Sequence, residues 1–259
     1  METVKSTVIE VPWPETGEPR LKVSVGGCRL KISAVDGDAW VSGTYEDPTG
    51  GLESKVDDQG GGSVRITQSG KISRLKNPFA GAPRMELQLG KSRPFGLIIE
   101  TGASEATVEL GGLPLKRLAI KQGAGRCDLD FSEPNPEEID EFDVDSGAST
   151  LIMRNLANAN FTSMTIDGGA ATYDLDFGGT LRRDGEVRMS AGVAAVTISV
   201  PAATAAKITP GSVLGSLNIG DDLTRKEGGF WTENALAGLK PVLYIVPSVA
   251  LGTLNLKVT

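Results

Sequence analysis

The chain has 259 residues, a net charge of −7 and no histidine. Without imidazole there are no Ser-His or Cys-His nucleophile pairs and no His-based zinc sites, and the acidic balance argues against binding a phosphate backbone or an anionic membrane surface. Two cysteines are too few for an all-cysteine zinc site or a disulfide framework, and 39% apolar residues with only 5% aromatics predict a narrow core of small aliphatics.

The opening, METVKSTVIEVPWPETGEPR, has no apolar leader, and no stretch reaches the roughly 18 apolar residues of a membrane helix. The chain therefore reads as cytoplasmic, or as envelope-associated if it is a piece of an anchored protein or is held by an anchored partner. Direct membrane insertion is not expected. Residues 23–33, VSVGGCRLKIS, read as a weak copy, one residue short, of a repeat that becomes regular further on. AWVSGTY (39–45) and GGSVRITQS (61–69) read as short strands, and KISRLKNPFAGAPR (71–84) as a loop before MELQLG. Gly60, Gly61 and Gly62 read as a turn; no Walker-type Lys-Ser/Thr and no helix signal follow them to make a phosphate cradle.

Five stretches then align without gaps: IIETGASEATVEL (98–110), AIKQGAGRCDLDF (119–131), DVDSGASTLIMRN (143–155), TIDGGAATYDLDF (165–177) and RMSAGVAAVTISV (188–200). Their glycines, Gly102, Gly123, Gly147, Gly169 and Gly192, recur every 21 to 24 residues, the size of a β-solenoid coil. Period-2 alternation puts three ladders inside. Three before the glycine stand Ile99, Ile120, Val144, Ile166 and Met189; four after it Ala106, Cys127, Leu151, Tyr173 and Val196; six after it Val108, Leu129, Met153, Leu175 and Ile198. The glycine marks a corner where a side chain would clash or where φ is positive. Outside, Lys121 is expected between Glu100 and Asp145, and Arg154 between Asp130 and Asp176, while Asp145 and Asp167 become adjacent like charges.

ITPGSVLGSLNIG (208–220) and YIVPSVALGTLNLKV (244–258) share S-V and G-[ST]-L-N-[IL] and read as two more coils. Between them, 221–241 is a loop insertion whose Phe230 and Trp231 read as a plug over an open end or side of the solenoid, or, less simply, as a ligand platform. The expected fold is all-β: a single-stranded, parallel β-helix-like solenoid with coils of about 22 residues. A less regular β region, 1–95, is continuous with repeats over 96–259, and the whole can be one domain.

The run GLIIETGASEATVELGGLPLKRLAIKQGAGRCDLDFS (96–132), the opening LKVSVGGCRLKISAVDGDAWVSGTYED (21–47) and the closing GGFWTENALAGLKPVLYIVPSVALGTLNLKV resemble the bacterial toast-rack family and related adhesin-like domains of unknown function. The closing run departs from the pattern at Val249, Ala250 and Leu251, where a Gly-rich turn is usual. The resemblance implies a β-solenoid, commonly following a membrane anchor and in some members part of an envelope-stress system in which the domain modulates a sensor kinase. It implies no catalytic residues and no cofactor.

Asp128, Asp130, Asp174 and Asp176 form two D-L-D-F runs. Such carboxylates can act across a sugar or hold calcium, but two coils apart they lie about 9–10 Å from each other, too far to share one ion, and outward positions paired with Arg154 account for them. Cys28 and Cys127 are expected at equivalent inward positions and read as buried free thiols. Asn160-Phe161-Thr162 is a chance sequon. The function expected is a non-enzymatic structural or protein-interaction module of the bacterial envelope, adhesin-like or regulatory, whose partner is a membrane sensor or envelope component. Its surface would involve Phe230, Trp231, Asp130, Arg154 and Asp176. A carbohydrate-binding surface protein is the alternative, a polysaccharide-acting enzyme the third, and no cofactor, metal or nucleic acid is expected.

Overall fold

In each regular repeat the buried positions alternate up to the glycine and resume after it with their phase shifted. Thr101 and Ser104 are both buried, whereas Gly102 and Ala103 between them are exposed. Two successive outward residues turn the chain, so both arms of one bent strand face the same core. A computed structural model describes residues 5–70 and 81–259; part of the expected 71–84 loop lies outside the described residues.

The regular coils are β8 (Phe95–Glu109), β9 (Leu115–Asp130), β10 (Glu141–Arg154), β11 (Ser163–Asp176) and β12 (Gly185–Val200). They stack in parallel and in sequence order, and Ile99↔Ile120↔Val144↔Ile166↔Met189 runs through four registers. All fifteen residues of the three expected ladders are buried, none above 3% exposed. Phe131, Phe142 and Phe161 add a column of edge-to-face rings at 6.1 and 6.3 Å. Between β10 and β11, Asn155 (φ 55°) and Asn160 (φ 59°) bracket a 3-10 turn, Leu156–Ala159. Asn135, fully buried, donates to the Leu115 and Ala159 carbonyls and accepts from the Leu115 N–H, tying three successive returns together.

The corner glycines stack directly. A Cβ on Gly102 would lie 2.5 Å from the Gly26 carbonyl oxygen, and one on Gly147 2.4 Å from that of Gly123. None of these corner glycines has a positive φ, so close approach of neighbouring coils, and not left-handed backbone, requires them.

At the amino end, β2 (Arg20–Val25) and β3 (Arg29–Val35) form the coil beside β8, with Val25↔Thr101 and Arg29↔Glu105. From the first pair to the second both chains advance by the same number of residues, so this copy of the repeat is full length and not one residue short. Gly26 stands opposite Gly102. Cys28 consequently matches Ser104 and Cys127 matches Ala106, so the cysteines do not occupy equivalent positions. Beyond this coil lie β6 (Ser63–Gly70) on β2 and β7 (Arg84–Gly90) on β3. Antiparallel strands finish that end: β5 (Leu52–Gly60) on β6, β4 (Val41–Asp47) on β7, and β1 (Lys5–Val11) on β4. Trp13 stacks on Trp40 at 5.3 Å, with Phe95 edge-on to both.

The carboxyl end corrects the expected order. β17 (Val242–Val258) pairs with β12 along its whole length. β13 (Ala205–Ile208) and β14 (Val213–Ile219), earlier in sequence, lie on its far side. The two similar segments are indeed coils, aligned Gly215↔Gly252 and Leu217↔Leu254, but the later one is inserted inside the earlier. The 221–241 insertion is structured: β15 (Thr224–Lys226), β16 (Gly229–Trp231) and the helical turn α1 (Glu233–Leu236), with β16 antiparallel to β13. One hydrophobic core runs from Ile9 to Leu256 through both ends. No helix of the described residues is long and apolar enough to cross a membrane.

Candidate interaction surface

Two residues before each corner glycine the side chains point outward, and stacking brings Ser24, Glu100, Lys121, Asp145 and Asp167 into one row. Beside this row the glycines carry no side chains. The result is a shallow trough of about 660 Å³ along the coil axis, with Gly102, Gly123 and Gly147 in its floor. A second recess of about 340 Å³ adjoins it, sharing the charged row and adding Asp143 and Thr165.

Charge is unevenly distributed along the row. Lys22 holds Glu100 at 2.6 Å and Lys121 holds Asp145 at 3.3 Å, whereas Asp167 has no ion-pair partner among the described residues. Both members of the Lys121–Asp145 pair are about half exposed, so the pair contributes little to stability and is free to exchange. Burial raises the Asp143 carboxyl above its ordinary value, and the neighbouring Glu141, Asp145 and Asp167 raise it further against the opposing pull of Lys121. The trough is therefore acidic around β10 and β11.

Asp130, Arg154 and Asp176 lie together at the end of the other arm. Arg154 stands in register with Asp130, but its guanidinium reaches Asp128 at 3.8 Å, a carboxylate already held by Arg126 at 2.6 Å. Asn155 connects the two expected carboxylates: its amide donates to Asp130 at 2.7 Å and its N–H to Asp176 at 3.4 Å. Asp176 also accepts from the Gly178 N–H. These groups secure turns. Phe230 and Trp231 lie at the carboxyl end of the stack, apart from that cluster. Trp231 is 9% exposed and packs with Ala205, Ala235 and Val242, with Lys207 and Lys226 nitrogens 4.0 and 4.5 Å from its ring centre. Phe230 packs half-buried against the main core.

Cys28 and Cys127 are buried and unpaired, and burial pushes each thiol up to about 12. Asn160 is 3% exposed and bonded to the Glu137 carbonyl and to Arg183, so the sequon is inaccessible in the folded chain. Among the described residues no group of three His, Cys, Asp or Glu side chains is placed to hold a metal ion. The trough escapes a reading of the sequence alone although its signal is present there: the charged row reads as internal pairing, and the bare glycine row beside it as a corner.

Bent parallel strands stacked around aliphatic ladders, open at both ends, define an all-β solenoid. Residues 2–151 match the family described as the N-terminal domain of toast_rack, DUF2154, and the chain belongs to that family. Its fold is similar to that of a "putative cell adhesion protein" from Clostridium sporogenes, at 15% identity and TM-score 0.50 over 99% of this chain and 100% of that one. It is likewise similar to a "putative adhesin" from Bacteroides fragilis, at 12% identity and TM-score 0.52 over 100% and 98%. No curated protein matches the chain.

Proposed function

We propose that this chain is a non-enzymatic, adhesin-like interaction module that receives an extended, positively charged segment of a partner protein along the trough. The observation that carries this reading is the glycine-floored groove whose charged row includes Asp145 and Asp167, with Asp143 beside it in the adjoining recess. A floor of bare backbone admits another main chain closely, and a Lys or Arg from that chain can replace Lys121 on Asp145 or pair with Asp167. The names of the two structural neighbours are in keeping with a binding role. No aromatic side chain lines the trough to stack on a sugar ring, which favours protein over carbohydrate.

The test compares lysine-containing extended peptides with a neutral oligosaccharide array, against the wild type and Asp145→Asn/Asp167→Asn. Peptide binding that weakens at least about tenfold in the double variant and with added salt is expected. Binding confined to neutral glycans and indifferent to both substitutions would favour the carbohydrate reading. Turnover of any polysaccharide that Asp130→Asn or Asp176→Asn abolishes would refute the non-enzymatic one.

A further inference from the structure

A large apolar side chain standing alone on a protein surface needs no explanation, whereas several together mark a place where something binds. The four most exposed large apolar side chains among the described residues are Val8, Leu214, Val193 and Leu251, and three of them stand together. Val193 on β12 and Leu251 on β17 are register neighbours, at 59% and 56% exposure. Leu214, at 65%, continues their line on β14, in the bulge between the Val213↔Val249 and Gly215↔Gly252 pairs.

That line belongs to the corner of the coils, where the trough lies. In β8 to β11 the residue just after the corner glycine, on the side of the floor away from the charged row, is Ala103, Ala124, Ala148 and Ala170. The same position passes in register from Ala170 to Val193 and on to Leu251. The floor continues beside it through Gly192 and Ala250. On the opposite bank the charged row also changes past β11: Asp167 is followed in register by Ser190 and Ser248. The groove therefore presents carboxylates on one bank over β10 and β11, and large aliphatic side chains on the other bank over β12, β17 and β14.

The spacing of the two fits one extended chain. Leu251 lies two coils beyond Asp167, a distance of about 10 Å at roughly 4.8 Å per coil, and three residues of extended chain span the same length. Period-2 alternation also sends residues three apart to opposite sides. We propose that the cationic segment received by the trough is amphipathic: its Lys or Arg pairs with Asp167, and three residues away a bulky aliphatic or aromatic side chain seats on Val193, Leu251 and Leu214. This rests on the trough reading and adds a second determinant to it, since charge admits a segment and the apolar seat selects among those admitted. An anionic membrane surface is disfavoured as the occupant, because the seat adjoins Asp145 and Asp167 in a chain of net charge −7.

The test is titration calorimetry of the full chain with three synthetic peptides: Lys-Ser-Lys-Ser-Ser-Leu, its analogue with Ser in place of Leu, and one with Leu moved a single residue closer to the lysine. Each is also made in reverse order, because the groove accepts either chain direction. In the better order the first peptide is expected to bind at least about tenfold more tightly than the Ser analogue, and the shifted Leu to lose that gain. In Leu214→Ser/Leu251→Ser, with its melting curve recorded beside the wild type, the difference between the first two peptides is expected to fall below about twofold. Equal binding of the three peptides to the wild type, or a preference for Leu that a folded double variant retains, overturns the proposal and leaves the trough reading in place. Failure of every cationic peptide to bind overturns the trough reading, and this inference with it. The comparison of peptides on the wild type stands however the variant folds.

Discussion

Asp47 illustrates how one side chain can hold a turn. It closes β4 at 7% exposure and accepts from the Thr49 N–H and hydroxyl, the Gly51 N–H and the Leu52 N–H, at 2.5 to 2.8 Å. Burial alone would raise the carboxyl, but these donors win and hold it below its ordinary value. Asp47→Ala is expected to cost about 2–3 kcal/mol at neutral pH. Because the native value is depressed, that contribution is complete above the ordinary carboxylate range near 3.9 and is lost as pH falls through the native value. Denaturant melts of wild type and variant at stepped pH should therefore converge only in acid; curves that stay parallel there would remove Asp47 from this role. The thiols give a second residue-scale expectation. With both pushed to about 12 and buried, neither Cys28 nor Cys127 should react with a disulfide reagent in the native protein, and both should react in denaturant.

At the scale of the coil, the glycine row discriminates among its own members. An added methyl on Gly147 meets the Gly123 oxygen at 2.4 Å, whereas on Gly192 it meets the Gly169 oxygen at 3.2 Å, a distance that a few tenths of an ångström of movement relieves. Gly147→Ala should destabilise by roughly 1–3 kcal/mol. Gly192→Ala should be near neutral, since alanine also recovers about 0.4–1 kcal/mol by restricting the unfolded chain. Equal losses in thermal melts would show that the corner is not set by coil-to-coil contact. The ladders of these strands were legible in the sequence because period-2 burial is local to each strand. The partners of Arg154 were not, because whether a long guanidinium reaches Asp128 or Asp130 depends on its rotamer and on competition from Asn155. The buried amide of Asn135 was equally silent, since an asparagine in a loop ordinarily faces water.

For the whole molecule, a stack of coils in contact only with their neighbours divides stability between coils and interfaces. β9 to β12 are bonded on both sides over long registers, whereas among the described residues β5, β14 and β15 have one partner each. Native-state hydrogen exchange should find the slowest amides in β9–β12 and the fastest among strands in those three. Uniform protection from end to end would mean that the stack opens only as a unit. The spatial order at its ends could not have been read from sequence. The likeness of 208–220 to 244–258 identifies both as coils, yet either could be the inner one, and the choice depends on which edge of β12 and which cover over β13 bury more apolar surface.

That order bears on how the molecule is made. A ribosome delivers β13 and β14 before β17, the strand they rest on, and delivers β2 and β3 before either of the coils that enclose them. Wrapping each coil onto the last as it emerges can therefore build β8 to β12, but not the ends. Residues 205–219 reach their native place only once 242–258 lies on β12 beneath them, so the carboxyl-terminal end is completed by insertion instead of growth.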